Sequence, residues 1–289
     1  MVYNVTQSNA TIPAIVDGFG GRAYYIPYKY GSVIGPEHWW EENKQLHTYA
    51  YVQQHWTYTI WIAVAYSVGI HALQSAMANR RPFELKTPLI LWNAALAVFS
   101  LAGAIRMFEE FSYVLRTRPL LESILYTVDI NSSAAFWGFA FVVSKIFELV
   151  DTVFIVLRKK PLIFLHWYHH AIVVVYATQS YTELVAGCRW FVTMNYAIHA
   201  LMYAYYALAA AGYRLPRVMS MVITTLQTTQ MLIGVAISFI VLYCKLQGRI
   251  AQQSFENLAL CFGLYASFAI LFMSFFNKSY LSEEEKKKK

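Results

Sequence analysis

Long runs of apolar residues dominate the chain and alternate with short polar connections. A helix that crosses the hydrocarbon core of a bilayer needs about 20 mainly apolar residues, and seven runs of about that length can be drawn. They are residues 57–77, 87–108, 133–157, 162–181, 188–211, 217–244 and 255–276. The pattern predicts an all-α polytopic membrane protein with seven transmembrane helices.

The same pattern divides the chain into three parts. Residues 1–56 are polar, aromatic and interrupted by glycine and proline, and they are predicted to form a lumenal N-terminal segment. Residues 57–276 are predicted to form the seven-helix membrane domain, which also carries the candidate chemistry. Residues 277–289 are predicted to form a cytoplasmic tail.

Positive charge decides the predicted orientation, because the cytoplasmic connections of membrane proteins are enriched in Lys and Arg. With the C-terminus in the cytoplasm, thirteen of these residues fall inside and nine fall outside. The tail then ends in the lysine run 286–289, which is similar to a dilysine retrieval signal of the endoplasmic reticulum. Asn4 and Asn9 lie in N-glycosylation acceptor sequences and would face the lumen.

Composition supports the membrane assignment and removes two other classes. The chain is 58% hydrophobic and 13% charged, a balance that a soluble domain of this size rarely has. The net charge of +7 does not indicate a nucleic-acid partner, because the basic residues lie between apolar runs and in the tail. The three cysteines form neither a disulfide framework nor a zinc-ligand pattern, and we interpret them as packing residues.

Ionisable and amide side chains interrupt four consecutive spans, where lipid makes them costly. Lys145, Glu148 and Asp151 project onto one side of the third helix at 100° per residue. The fourth span opens with three histidines at spacing i, i+3, i+4, which stacks their imidazoles. The whole set is Lys145, Glu148, Asp151, His166, His169, His170, Asn195, His199, Tyr203, Tyr206, Gln227 and Gln230.

Depth brings these side chains together. At a rise of about 1.5 Å per residue, they lie roughly 9 to 18 Å from the predicted cytoplasmic ends of their spans. Polar faces at one level predict a shared pocket that is reached from the cytoplasm.

Four short motifs, one in each of the third to sixth spans, resemble the conserved boxes of the ELO family of fatty acid elongases. They are Lys145-Ile-Phe-Glu148-Leu-Val-Asp151-Thr152 (KxxExxDT), His166-Trp-Tyr-His169-His170 (HxxHH), His199-Ala-Leu-Met202-Tyr203-Ala-Tyr205-Tyr206 (HxxMYxYY) and Thr224-Thr-Leu-Gln227-Thr-Thr-Gln230 (TxxQxxQ). The resemblance implies 3-ketoacyl-CoA synthase activity, in which malonyl-CoA lengthens an acyl-CoA by two carbons with loss of carbon dioxide. It also implies residence in the endoplasmic reticulum membrane and a barrel of the second to seventh helices around an acyl tunnel closed at its lumenal end.

The chemistry of such a condensation assigns a role to each histidine. No cysteine lies near the cluster, and a neutral imidazole attacks a thioester without a depressed pKa. We expect His169 to carry the acyl group, with His166 and His170 orienting it or moving protons, although any of the four histidines fits the acylated position. His199 and Asn195 would polarise the malonyl group.

Further expected substrate contacts surround these histidines. Asp151 and Glu148 would fix histidine tautomers or pair with Lys145. Neutral hydrogen-bond donors around the thioester would come from Tyr203, Tyr206, Gln227 and Gln230. Arg158, Lys159 and Lys160 would hold the CoA phosphates. No metal and no cofactor are predicted besides the substrates acyl-CoA and malonyl-CoA, and the expected partners are the bilayer and other enzymes of the elongation cycle.

Two other classes compete with this interpretation. Membrane di-iron desaturases and hydroxylases also use HxxHH, but they need about eight histidine ligands in several boxes, and only four of the eight histidines here have such spacing. A transporter or receptor would need a polar pathway across the full depth of the membrane, whereas the lumenal halves of these spans are mostly apolar. Among elongases, the motif context resembles members that extend saturated and monounsaturated chains of about 12 to 16 carbons.

Overall fold

The computed structural model describes residues 2–7, 10–16, 22–41 and 45–281. Helices occupy most of this part of the chain. They are α1 Gly35–Glu41, α2 Gln45–His55, α3 Tyr58–Ala76, α4 Lys86–Thr117, α5 Glu122–Leu125, α6 Ser133–Glu148, α7 Val150–Leu157, α8 Phe164–Thr182, α9 Cys188–Ala211, α10 Arg217–Leu246 and α11 Phe255–Phe276. A π-helical turn, Asn277–Leu281, follows α11 directly.

Each predicted span coincides with one helix or, for the third, with two. By length and apolar composition, three helical stretches of the described chain qualify as membrane spans: Lys86–Thr117, Arg217–Leu246 and Phe255–Leu281, with mean hydropathies of 1.8, 1.8 and 2.1. These stretches are typical of a multi-pass membrane protein. The remaining predicted spans carry more polar side chains, and the total of seven crossings stays a prediction.

The third predicted span is divided at Leu149. The amide of Leu149 donates to the carbonyl of Ile146, and the amide of Thr152 donates to the carbonyl of Leu149, both at 3.3 Å. These i, i+3 bonds wind the chain more tightly than an α-helix over this one turn. Side chains before and after Leu149 nevertheless both reach α9, because Lys145 donates to Asn195 and Asp151 accepts from Tyr203.

The N-terminal segment departs from the all-α prediction, because it contributes most of a small sheet. The strands are β1 Val2–Gln7, β2 Ala10–Val16, β3 Arg22–Ile26 and β4 Thr127–Val128, in spatial order β1-β2-β3-β4. β1, β2 and β3 pair antiparallel, and β3 pairs parallel with β4, in the register Tyr25 opposite Thr127. The segments are rich in the β-branched and aromatic residues that favour strands.

A buried carboxylate joins this segment to the membrane helices. Glu37 of α1 is fully buried and accepts from the Arg106 guanidinium at 2.7 Å and from the indole of Trp137 at 2.7 Å. Burial alone raises the pKa of this carboxyl, but these hydrogen bonds and the amide of Ile34 outweigh it and hold the pKa below its usual value. The N-terminal segment is thus fixed to α4 and α6.

The helix contacts follow a closed order. α4 contacts α6 and α9, α9 contacts α10, α10 contacts α11, α11 contacts α8, and α8 contacts α6. The first membrane helix, α3, is not needed to close this order and packs on α7 and α8. A six-helix barrel requires such an order of neighbours, while the barrel itself stays a prediction.

Two predictions about the chain ends fall wholly or partly outside the described residues. The lysine run 286–289 and the acceptor Asn9 lie outside them, whereas Asn4 belongs to β1.

Candidate active site

A cavity that we call the polar chamber lies among α4, α7, α8, α9, α10 and α11, and it encloses about 1820 Å³ including its open side. Most of the side chains predicted for the site line it. They are Asp151, Arg158, Lys160, His166, His169, His170, Asn195, His199, Tyr203, Tyr206, Gln227 and Gln230. The structure therefore brings residues from four motifs to one space, as their matching depths indicate.

A second cavity, the apolar pocket, continues from the polar chamber and encloses about 1070 Å³. Its walls are mainly hydrophobic and include Phe141, Val173 and Leu264. The far end is formed by Thr127, Val128, Ile130, Leu184 and Arg189. Four residues line both cavities, which identifies the level at which the two cavities meet: His169, Asn195, Gln230 and Met231.

The three histidines of α8 form a contiguous group. The ring centroid of His170 is 4.5 Å from that of His166 and 5.6 Å from that of His169. On its other side, the ring of His169 packs against Phe268 of α11 at 4.9 Å. His169 therefore stands between the imidazole group and the hydrophobic wall of the apolar pocket.

A hydrogen-bonded chain behind the polar chamber orients His199. The ammonium of Lys145 donates to Glu148 Oε1 at 2.7 Å and to Asn195 Oδ1 at 2.9 Å. The amide of Asn195 must then point its nitrogen at His199 Nε2, which lies 3.2 Å away. Because an amide nitrogen only donates, Nε2 of His199 is an acceptor and the proton of a neutral ring is assigned to Nδ1.

This assignment leaves Nδ1 of His199 facing a carboxylate without a formed bond. Nδ1 is 3.6 Å from Glu148 Oε2 and has no hydrogen-bond partner among the described residues. Lys145 and Glu148 are buried, at 4% and 3% exposure, and they stand behind the lining of the polar chamber. Asn195 and His199 therefore separate them from the polar chamber.

Asp151 has partners other than those expected. Its Oδ1 accepts from the indole of Trp92 on α4 at 2.6 Å, and its Oδ2 accepts from the hydroxyl of Tyr203 at 2.7 Å. The expected pairing of Asp151 with Lys145 or a histidine is not what the structure shows. The ammonium of Lys145 is bound by Glu148 and Asn195 instead.

The three basic residues at the end of α7 separate into two groups. Arg158 and Lys160 line the polar chamber. Lys159 has a left-handed backbone with φ of 52°, and its ammonium donates to the carbonyls of Ala78 and Arg80 at 2.8 and 3.0 Å. The structure therefore does not bring Lys159 to the site, and its expected phosphate contact loses its geometric basis.

Two aromatic residues near the site were missed in the sequence. Trp92 binds Asp151, and Tyr66 of α3 contacts Thr152 Oγ1 at 2.6 Å. Both are amphipathic side chains inside apolar runs, where a hydropathy pattern counts them as hydrophobic. A search for phenol and indole groups at the depth of Asp151 could have found them.

Comparison with known proteins agrees with this geometry. The family model described as "ELO: GNS1/SUR4 family" matches residues 51–288. The chain is 48% identical over 238 residues to "Putative fatty acid elongase 4" of Caenorhabditis elegans, covering 82% of each chain. It is 42% identical over 237 residues to "Very long chain fatty acid elongase 6" of Homo sapiens, covering 82% of this chain and 89% of that one. The Drosophila melanogaster protein of the same name is 43% identical over 250 residues, covering 83% and 78%.

Proposed function

Because the chain belongs to the ELO family and is a fatty acid elongase, we propose that it condenses acyl-CoA with malonyl-CoA through an acyl group carried on His169. The family prediction made from the four motifs is confirmed by the comparisons. The observation that carries the proposed mechanism is that His169 lines both the polar chamber and the apolar pocket. A thioester carbonyl at this residue has its hydrocarbon chain on one side and its CoA on the other.

The first half-reaction transfers the acyl group. A ring nitrogen of neutral His169 attacks the thioester carbonyl, the new C–N bond forms and the C–S bond breaks. The proton on the second ring nitrogen leaves, and the CoA thiolate takes it up and departs as free CoA. A neutral imidazole attacks a thioester without needing a depressed pKa.

The second half-reaction forms the carbon–carbon bond. Malonyl-CoA loses carbon dioxide, and the resulting enolate attacks the acyl-imidazole carbonyl. The C–N bond breaks, the imidazole of His169 regains one proton from the solvent, and the 3-ketoacyl-CoA leaves. Asn195 lines both cavities, and the second N–H of its amide, beside the one directed at His199 Nε2, is placed to stabilise the enolate oxygen.

The two cavities assign the two parts of the substrate. The apolar pocket takes the acyl chain. Its depth along α8 is set by the twelve residue-to-residue steps between His169 and Tyr181 (181 − 169 = 12), which is roughly 18 Å of helix. Arg158 and Lys160 at the opposite end of the polar chamber bind CoA phosphates. We propose saturated and monounsaturated chains of about 12 to 16 carbons, on the basis of the motif resemblance.

The remaining parts of the proposal concern the setting of the reaction. The closed order of helix contacts supports a six-helix barrel around the acyl chain. The apolar runs support seven crossings, the charge bias supports a cytoplasmic C-terminus, and the family resemblance supports the endoplasmic reticulum membrane. The reaction as proposed uses two CoA thioesters and no metal, so elongation should withstand prolonged treatment with a chelator. Loss of elongation on chelation and its return with iron would favour a metal enzyme.

The proposal is tested with membranes that contain the full chain, radiolabelled malonyl-CoA and a panel of acyl-CoA lengths. We expect label to enter 3-ketoacyl products with the wild type and not with His169→Ala. The matched control is His71→Ala, because His71 is exposed on α3 and does not line either cavity. Normal elongation by His169→Ala would contradict the assigned nucleophile, and no elongation by the wild type would contradict the function.

A further inference from the structure

A side chain of α3 reaches the histidine group through one intermediate residue. The hydroxyl oxygen of Tyr66 is 2.6 Å from Thr152 Oγ1, and Thr152 Oγ1 is 3.0 Å from His166 Nε2. Thr152 is fully buried, at 0% exposure, so water does not complete its hydrogen bonds. The ring of His166 lies 4.5 Å from that of His170 and lines the polar chamber.

Counting protons shows that this chain has two arrangements. A hydroxyl group has one proton to donate and can accept as well. If Tyr66 donates to Thr152, then Thr152 donates to His166 Nε2, and a neutral His166 carries its proton on Nδ1. If His166 Nε2 donates to Thr152, then Thr152 donates to Tyr66, and Nδ1 is free to accept a proton.

Tyr66 stabilises the second arrangement, because its phenol oxygen accepts the hydroxyl proton of Thr152. Without the phenol oxygen, His166 Nε2 is the remaining acceptor for the Thr152 proton in this row of hydrogen bonds. Thr152 would then donate to it, because leaving a buried donor unpaired is costly. His166 is then held with its proton on Nδ1 and loses the basic nitrogen that can accept a proton. The hydroxyl of Tyr66 thus affects an imidazole that it does not touch.

We propose that Tyr66 is a positioning residue that, through Thr152, allows His166 to keep its own proton on Nε2 and to hold Nδ1 ready as a proton acceptor during elongation. The inference rests on the proposed function. In the acyl-transfer step, His166 Nδ1 accepts the proton that leaves His169 and returns it to the departing CoA thiolate, so that the proton balance is unchanged. Tyr66 lies outside the four motifs, and its role gives α3 a part in the reaction.

The test compares wild type, Tyr66→Phe and Tyr58→Phe in membranes, with steady-state elongation and with the burst of CoA released before malonyl-CoA is added. Tyr58 is the matched control, because it lies on the same helix and is 58% exposed. We expect Tyr66→Phe to lower kcat and the burst rate about tenfold, because one hydrogen-bonded path for the proton is lost. The KM for acyl-CoA should stay within about twofold, since the apolar pocket is untouched.

A double-mutant cycle with Thr152→Val keeps the inference falsifiable if one variant is poorly folded. Removal of either hydroxyl breaks the same chain, so the two losses in kcat of correctly folded protein should not add. The inference would be overturned if the two losses add, or if Tyr66→Phe keeps a wild-type kcat. It would also be overturned if Tyr66→Phe lowers kcat only as far as it lowers the amount of folded protein and leaves the CoA burst unchanged. Absence of elongation in the wild type would instead overturn the proposed function.

Discussion

Two buried ion pairs, one at each end of the cavity system, differ in how completely their hydrogen bonds are formed. At the far end of the apolar pocket, Arg189 and Glu110 are both 1% exposed, and the guanidinium binds both carboxylate oxygens. The same guanidinium donates to three backbone carbonyls of residues 123–127 at 2.6 to 3.0 Å. Every nitrogen of the Arg189 guanidinium therefore has hydrogen-bond partners.

The pair beside the polar chamber is less complete. Lys145 and Glu148 are joined at 2.7 Å, yet Glu148 Oε2 faces His199 Nδ1 at 3.6 Å without a hydrogen bond. A buried charge with all its hydrogen bonds fixes structure, whereas a buried polar atom beside a cavity that has no partner among the described residues, such as His199 Nδ1, indicates a functional site. The first pair closes the pocket, and we expect the second to hold groups that act on substrate.

The same contrast runs along single helices. α8 carries its histidines at one end and Val173, Tyr176 and Ala177 on the wall of the apolar pocket farther along. A rigid helix fixes the distance between the reacting carbonyl and the end of the acyl chain at about 1.5 Å per residue. Under the proposed function, we therefore expect α8 to set both the position of the reaction and the length of the acyl chain.

The largest expected effect comes from Lys145→Met, which leaves Glu148 as a buried charge without its cation. We expect a loss of about 3–5 kcal/mol in the free energy of unfolding. Elongation by the folded fraction should fall about 100-fold, because Asn195 loses the donor that directs its amide to His199. Thermal unfolding in detergent and radiolabel incorporation measure the two effects. Lys278→Met, at an exposed position, is the control, and full activity of Lys145→Met would remove the distinction between the two pairs.

Arg189→Lys should lower stability while leaving the chemistry intact. Lysine keeps the charge but lacks the five-donor fork, so backbone carbonyls of residues 123–127 are left unpaired at about 1–3 kcal/mol each. The melting temperature should fall, and kcat of the folded fraction should stay close to wild type. A fall in kcat at unchanged stability would show that this pair, too, acts in catalysis.

Substitution of both chamber-lining basic residues, Arg158→Gln with Lys160→Gln, should raise the KM for acyl-CoA about tenfold with little change in kcat, because charge-assisted bonds to phosphate are lost. Lys159→Gln is a matched control between them, since its ammonium binds the carbonyls of Ala78 and Arg80. Steady-state kinetics over a range of acyl-CoA concentrations measure the effect. An equal response to Lys159→Gln would indicate a general charge effect.

The smallest effect is a change in chain-length preference. Gly138 lines the apolar pocket, and a Cβ there would meet no atom within 4 Å, so Gly138→Leu should fill pocket space without a clash at the backbone. Long acyl-CoAs should lose roughly fourfold in kcat/KM for each methylene that no longer fits, and short ones should be spared. Gly69→Leu on α3 is the control, also without a neighbour within 4 Å. An unchanged product profile from Gly138→Leu would show that this pocket does not hold the acyl chain.

The sequence was informative where spacing along a regular helix decides geometry. The i, i+3, i+4 spacing of His166, His169 and His170 places all three in the polar chamber, and the positions of the helices follow the apolar runs closely. The partners of Asp151 were not predictable from spacing along its own helix, because Trp92 and Tyr203 lie on two other helices. Aromatic partners such as Trp92 were hidden because their polar atom is one among many apolar ones.

Connections and ends were harder to predict. Residues 109–131 resemble an interfacial amphipathic segment in sequence, yet α4 continues to Thr117 and Ile124 and Leu125 are buried. The hydrogen bonds from Arg189 that hold this segment come from a residue more than sixty positions away, beyond the reach of local pattern. The sheet of the N-terminal segment depends likewise on a parallel partner, Thr127–Val128, that is distant in the chain.

The most direct test of the central claim is mass spectrometry of the full chain after incubation with acyl-CoA alone, followed by addition of malonyl-CoA. A histidine acylated at the junction of the two cavities should give one acyl mass on the peptide that contains His169, lost when malonyl-CoA is added and 3-ketoacyl-CoA forms. Active enzyme that shows no such adduct, or an acyl mass on a residue outside the polar chamber, would contradict the account.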